Sequence, residues 1–229
     1  MRPPSAFENS RTQTPSRLLK KGKYGKHITH FPSFKNKKVV VCESELEADF
    51  CVWLEYEEQV VAYAPQPGTF TFAVDDRAVR YTPDFEITYG TGEIRYAEIK
   101  PDHIAEDTGY LRKVGEFRKV CELAGYGFDL ITEREIRIQP KLRNLQNLYN
   151  RMHLVTDTEL SYALDSLKQP SVSGSTVRSL LTLTYPPSMK SIAKAVFSGL
   201  MLADLDQPFT LDTRIVSAFA GAHDAYSYR

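Results

Sequence analysis

Two strands joined by a tight turn can be read in Tyr81-Thr82-Pro83-Asp84-Phe85-Glu86-Ile87-Thr88-Tyr89, Gly90-Thr91-Gly92 and Glu93-Ile94-Arg95-Tyr96-Ala97-Glu98-Ile99-Lys100. Gly90 and Gly92 supply the freedom to take positive φ that such turns demand. With a three-residue loop, Tyr89 faces Glu93, and counting back along both strands sets Asp84 opposite Glu98. Side chains alternate between faces, so Asp84, Glu98 and Lys100 share one face, while Phe85, Ile87, Ala97 and Ile99 turn to a core. The geometry depends on the loop length, because a slip of one residue would send every side chain to the other face.

Directly opposed carboxylates, with Cβ atoms about 4.5–5.5 Å apart, repel each other. A cation between them removes that penalty. Mg²⁺ suits the place: it takes carboxylate oxygens and keeps several waters for chemistry. Lys100 stands two residues beyond Glu98 and can orient or help deprotonate an attacking water, and stabilise charge on a phosphate. Together these groups make a phosphodiester hydrolase. The same residues also fit a plainer account, three solvated charges on an exposed sheet face.

Upstream, Ser44 to about Glu58 reads as a helix. Ser44 can cap it, with Glu47 three residues on as in a capping box, and Leu46, Phe50, Trp53 and Leu54 recur at helical spacing. Glu47 is a candidate third acid, presented to the sheet from that helix, and equally an ordinary capping carboxylate. Strand-like runs follow at 60–63, 69–74 and 79–89, with Asp75-Asp76 as a turn. Downstream, residues 107–124 are helical up to Gly125, and 128–132 form a strand. The region 42–138 is thus expected to be one α/β domain. From residue 139 helices dominate, near 140–151, 157–167, 174–184 and 188–203. Two strand-like runs within 204–215 complete the pattern of a winged-helix domain.

The formal net charge is zero, from 29 basic and 29 acidic side chains, and taken alone it argues against a nucleic-acid partner. By region the picture differs. Residues 1–41 hold ten Lys and Arg and one acid, a surplus of +9, whereas 42–100 hold thirteen acids and four bases, a surplus of −9. Residues 1–41 show no lasting period and are expected to form a basic arm. Lys20, Lys21, Lys23, Lys26, Lys35, Lys37 and Lys38, with Tyr24, Phe31 and Phe34 among them, suit a phosphate backbone and its bases. A solvated tail without a partner has the same composition. Lys113, Arg118 and Lys119 on the 107–124 helix are better read as a solvated face than as phosphate contacts, and His103 as a loop residue. No apolar run approaches the roughly 20 residues a membrane helix needs. The polar start lacks the features of a secretory signal. Cys42, Cys51 and Cys121 form neither a zinc pattern nor a disulfide framework, as expected of a reducing compartment.

The helix glutamate, the Asp and the Glu-x-Lys together resemble restriction-endonuclease-like nucleases. More narrowly, Phe31-Pro32-Ser33-Phe34-Lys35, Ser44-Glu45-Leu46-Glu47-Ala48-Asp49-Phe50, Gln66-Pro67, Tyr81-Thr82-Pro83-Asp84-Phe85 and Glu98-Ile99-Lys100-Pro101 resemble the TnsA family. These are endonucleases that form one subunit of a heteromeric transposase. The resemblance covers residues 25–135, and more loosely the helical C-terminal part. It implies a restriction-endonuclease-like mixed sheet flanked by helices, followed by a winged-helix-like domain. It implies a catalytic set of Glu47, Asp84, Glu98 and Lys100. Asp84, Glu98, Glu47 and the carbonyl of Ile99 would ligate Mg²⁺ or Mn²⁺. At the Glu98 position the family also tolerates glutamine. Gln66 would support the ligands from behind, unless it is simply a turn residue.

The implied activity is cleavage of the 5′ ends, the non-transferred strands, of a transposon during cut-and-paste transposition. The implied partners are the DNA ends, an integrase-type transposase that processes the 3′ ends, and an AAA+ ATPase regulator bound by the C-terminal domain. The implied location is the bacterial cytoplasm, at the nucleoid when active. Two other functions fit the residues: a stand-alone nuclease of the same fold, such as a junction resolvase or restriction enzyme, and a catalytically inactive DNA-binding adaptor.

Overall fold

A computed structural model describes residues 28–75, 77–167 and 175–218. Contacts divide the chain into two compact units between Arg137 and Ile138.

The first unit opens with a hairpin, β1 (Thr29–Ser33) and β2 (Lys38–Cys42), paired antiparallel from Thr29↔Cys42 to Ser33↔Lys38. The expected arm is therefore wrong for its last part. Phe31 and Val40 are buried, and that short alternating pattern was hidden among lysines and a proline. The turn is held from inside: Lys37 adopts φ +53, and Ser33 and Tyr63 both donate their hydroxyls to the buried Glu55 carboxylate. Lys20, Lys21, Lys23 and Lys26 lie outside the described residues.

Helix α1 (Glu45–Tyr56) starts where the capping signal placed it. Ser44 Oγ accepts the Glu47 N–H at 3.1 Å, and Glu47 Oε2 accepts the Glu43 N–H at 2.8 Å. Strand β3 (Val60–Pro65) leads into a separate hairpin of β4 (Phe70–Val74) and β5 (Arg77–Tyr81), in which Val74 pairs with Arg77. Then come β6 (Phe85–Tyr89) and β7 (Ile94–Lys100). The expected continuous strand over 79–89 is broken at Thr82-Pro83-Asp84, where Pro83 has no N–H to give a ladder. This break lets β5 join β4 while β6 joins β3 and β7. A short helix α2 (Asp102–Ala105) and a long one α3 (Thr108–Leu123) precede β8 (Gly127–Thr132) and α4 (Glu133–Ile136). Helix α3 ends in a Schellman turn: Gly125, at φ +82, donates to Glu122 O, and the Tyr126 N–H returns to Cys121 O.

The main sheet runs β3-β6-β7-β8, antiparallel except for the parallel pair β7–β8. It is a mixed sheet flanked by helices. Alternation along the strands sends each face to a different partner. Phe85, on one face, meets Phe50 of α1 at 5.6 Å between ring centroids. On the other face, Tyr96 and Phe128 join Phe70, Phe72, Tyr81, Val114, Phe117 and Cys121 in a core that bonds α3 and the β4–β5 hairpin to the sheet. Each such side chain contributes about 1.5–3 kcal/mol by leaving water. Both faces are thus covered, and the site face is not an open surface.

The second unit holds α5 (Lys141–Arg151), α6 (Asp157–Leu167), α7 (Val177–Leu181) and α8 (Met189–Phe197). The last two are shorter than expected. Helix α8 stops because Gly199, at φ +68, makes a second Schellman turn, with Leu200 N–H returning to Ala195 O. The two strand-like runs expected within 204–215 are not strands. The ladder is instead formed by the flanking pairs β9 (Met201–Leu202) and β10 (Val216–Ser217). The loop between them is fixed by buried Asn144, which donates to Leu205 O and Gln207 O and accepts the Phe209 N–H. Among the described residues, no helix is long and apolar enough to cross a membrane.

Candidate active site

The β6–β7 ladder pairs Thr88↔Ile94, Ile87↔Arg95, Glu86↔Tyr96 and Phe85↔Ala97, and Tyr89 N–H donates to Glu93 O. One step further along this register, Asp84 arrives beside Glu98. It has just left the ladder, and its carboxylate takes over the role of a backbone acceptor: Oδ2 receives the Ile99 N–H at 2.8 Å. The Asp84 carbonyl in turn accepts the Gln66 N–H at 2.8 Å. Gln66 sits at φ +45, so its backbone ties the end of β3 to the aspartate.

Lys100 closes the group. Its ammonium lies 2.7 Å from Glu98 Oε1, 3.0 Å from Asp84 Oδ2 and 3.0 Å from the Ile99 carbonyl oxygen. One cationic centre thus touches three oxygens that the sequence assigned to a metal. The donor set has the chemistry of a hard-cation site, two carboxylates and a carbonyl, which is as many protein ligands as Mg²⁺ usually takes. Two buried polar atoms here lack a well-formed hydrogen bond, Glu98 Oε2 and the Tyr81 hydroxyl, although the Tyr81 side chain is close enough to Glu98 to interact with it. Burial, and after it the Glu98 charge, push the Tyr81 hydroxyl far up. Mg²⁺ or Mn²⁺ would therefore be held here by Asp84, Glu98 and the Ile99 carbonyl.

Glu47 is placed differently from those three. It is 8% exposed and near enough to feel Lys100, yet both its oxygens are engaged locally, by the Glu43 N–H and at 3.0 Å by the Ser44 hydroxyl. Half of the expected capping box is formed: Ser44 Oγ accepts the Glu47 N–H, but the Glu47 carboxylate takes the Glu43 N–H and the Ser44 hydroxyl rather than the Ser44 N–H, and the acid also borders the site. Among the described residues, no three His, Cys, Asp or Glu side chains converge into a ready metal cage. As a metal ligand Glu47 would have to share its oxygens with the Glu43 N–H and the Ser44 hydroxyl.

The electrostatics follow from burying three acids around one base. Burial pushes the Asp84 carboxyl up to about 7, Glu98 and Glu47 push it the same way, and Lys100 and the Ile99 N–H pull it back. Burial also raises Glu47. For Lys100, burial disfavours the ammonium, but Asp84 and Glu98 outweigh it and hold the group above the usual lysine range. The lysine is held in its charged form, while Asp84 and Glu47 are shifted toward protonation. Such a set gains free energy from a further cation.

Helix α3 adds Tyr110, which no sequence signal marked, and gives Lys113 a place that its spacing did not suggest. Tyr110 donates its hydroxyl to Glu98 Oε1 at 2.5 Å. The Lys113 ammonium lies over the rings of Tyr81 and Tyr110, 5.0 and 5.2 Å from their centroids. Lys113 is thus not on the solvated face expected for it. Arg118 stacks on Phe128 and Lys119 pairs with Glu116. A tyrosine at the first turn of an amphipathic helix reads as core from spacing alone, so only the packing of α3 on the sheet reveals its contact.

The candidate DNA-binding lysines of the hairpin divide. Lys37 and Lys38 are exposed. Lys35 is not available as expected: its backbone N–H donates to Glu55 Oε2, its ammonium donates to the Glu57 carbonyl, and burial lowers its pKa. His103 is exposed on α2.

Residues 57–133 match the family model described as TnsA-like endonuclease N terminal. The matched stretch runs from the end of α1 to the start of α4 and contains Asp84, Glu98, Lys100 and Tyr110, whereas Glu47 precedes it. No curated protein matches the chain.

Proposed function

We propose that this chain, which carries a TnsA-like endonuclease N-terminal region over residues 57–133, is the metal-dependent DNA endonuclease of a heteromeric transposase. It cuts the 5′ ends of the element, the non-transferred strands, by hydrolysis of a phosphodiester. The observation that carries this reading is the convergence of Asp84 Oδ2, Glu98 Oε1 and the Ile99 carbonyl on one cationic centre.

Asp84 and Glu98 would hold the metal together with the Ile99 carbonyl. When bound, Mg²⁺ lowers the pKa of a water and neutralises charge on the phosphate. Lys100 stays charged, so it acts first as a donor that orients the attacking water or the scissile phosphate, not as a base. Asp84, poised toward protonation, is freed to ionise fully by a second cation. Burial of the face under α3 limits bulk water and strengthens each of these contacts.

The basic segment before β1 would hold DNA near a domain whose own charge repels it. The second unit would be a winged-helix-like module that meets an AAA+ ATPase regulator, and an integrase-type partner would process the 3′ ends. A pulldown of the ATPase by full-length protein and by residues 138–229 separates these roles; binding by the full chain alone counts against the assignment.

The decisive assay compares wild type with Asp84→Ala on transposon-end DNA, with the partner transposase and Mg²⁺ present. Loss of 5′-end cleavage with retained 3′ processing is expected. Surviving 5′ cleavage overturns the site. Efficient cutting of plasmid without the partner would identify a stand-alone nuclease instead.

A further inference from the structure

Within the metal-site reading above, we propose that Tyr110 is a positioning residue for Glu98: its hydroxyl fixes the rotation of the carboxylate so that Oε2 is presented to the metal.

The terminal torsion of a glutamate is broad and roughly two-fold, so a liganding Glu needs a second contact to hold one orientation. Glu98 has two on the same atom. Lys100 and Tyr110 both reach Oε1, at 2.7 and 2.5 Å, while Oε2 is buried without a well-formed hydrogen bond. The lysine is on the same strand and has a long flexible stem. Tyr110 is rigidly placed: the cap Asp107 accepts its N–H at 2.7 Å, which fixes the first turn of α3. Its ring lies between cations, with Lys113 5.2 Å and Lys100 6.0 Å from the centroid. Lys113 spans Tyr110 and Tyr81, so the two tyrosines beside Glu98 are held as a pair.

The hydroxyl is not needed for packing. Tyr110 sits at the border of the aromatic core, partly buried against it. A phenylalanine keeps the ring, the core contact and the lysine above it, and removes one donor. Residues that orient a ligand from behind typically contribute about 10–100-fold to metal affinity.

Mn²⁺ binding to the full-length protein, without DNA, is measured by titration calorimetry for wild type, Glu98→Ala and Tyr110→Phe, with thermal midpoints recorded metal-free. The expected result is strong loss of Mn²⁺ binding in Glu98→Ala. In Tyr110→Phe, a dissociation constant raised about tenfold or more is expected, with a metal-free midpoint close to wild type. Weakened binding in Glu98→Ala but wild-type affinity in Tyr110→Phe overturns the proposal and leaves the metal site standing. A lowered midpoint in Tyr110→Phe with unchanged affinity marks a structural role and overturns it equally. Wild-type binding in Glu98→Ala overturns the metal-site reading, and this proposal with it.

Discussion

The ammonium of Lys100 stands 3.0 Å from Asp84 Oδ2, although Lys100 ends β7 and Asp84 lies one residue before β6, in a register set by a three-residue turn. In this conformation the lysine is the counter-ion of the site. That relationship makes Lys100→Met informative on two readouts. Removing one partner of a buried pair costs about 3–5 kcal/mol, because the other charge is left uncompensated. The metal-free variant should therefore melt below wild type at pH 8. Mg²⁺ should stabilise it more than it stabilises wild type, since a metal restores the missing positive charge. Cleavage of 5′ ends should fall at least 100-fold, the scale for a positioned proton-handling or charge-stabilising group. Equal Mg²⁺ stabilisation of the two proteins in thermal melts would refute the counter-ion role.

The raised Asp84 carboxyl gives a pH dependence with a definite sign. Its folded value of about 7 lies above the ordinary aspartate value of 3.8, so between these pH values the folded state binds more protons than the unfolded chain. The stabilising contribution is full below pH 4 and is lost as pH rises toward 7. Without metal, Asp84→Asn should then melt several degrees above wild type at pH 8, and the gap should close near pH 4. Melting curves across that range decide the point. A gap that widens on acidification would contradict the assignment.

Glu47 can be separated from its cap by chemistry. Glutamine keeps an amide oxygen for the Glu43 N–H and loses the charge, whereas alanine loses both. Glu47→Ala should cost about 0.5–2 kcal/mol of stability. Glu47→Gln should melt like wild type. If the acid serves the site, Glu47→Gln should nevertheless lose cleavage at 5′ ends by tenfold or more. Full activity in Glu47→Gln would reduce the residue to the cap it visibly forms.

The basic segment calls for a deletion drawn by the fold. Removing residues 1–38 would take β1 and the Ser33 hydroxyl, leaving buried Glu55 short of a donor. Removing residues 1–27 spares the hairpin and deletes seven Lys and Arg and one Glu. DNA affinity should fall, and the slope of log K against log salt should flatten by up to about six, at roughly 0.9 per phosphate contact. An unchanged slope in a fluorescence-anisotropy titration would show that these charges do not meet phosphate.

Much of this was readable in one dimension because its causes are local. Gly90 and Gly92 bracket a loop of known length, and the strand period of two then carries Asp84 to Glu98. The box of Ser44 and Glu47 declared the start of α1, and Gly125 the end of α3. The misreadings have local causes too. The alternation of Phe31, Ser33 and Val40 was masked by lysines that the hairpin turn and its rim accommodate. Residues 79–89 kept a strand-like composition through Pro83, although the missing N–H divides them between two sheets.

The sequence by itself determined which acids share a face and which lysine follows them, since both depend only on turn length and alternation. Only the tertiary structure decided how that face is covered. Docking α3 on the sheet buries Glu98, pushes Asp84 up to about 7 and brings Tyr110 to the Glu98 carboxylate. It also decided that Lys35 donates to the end of α1. The physical reason is common to all four. Desolvation and long-range hydrogen bonds arise when elements pack together, and no spacing within a strand or helix encodes them.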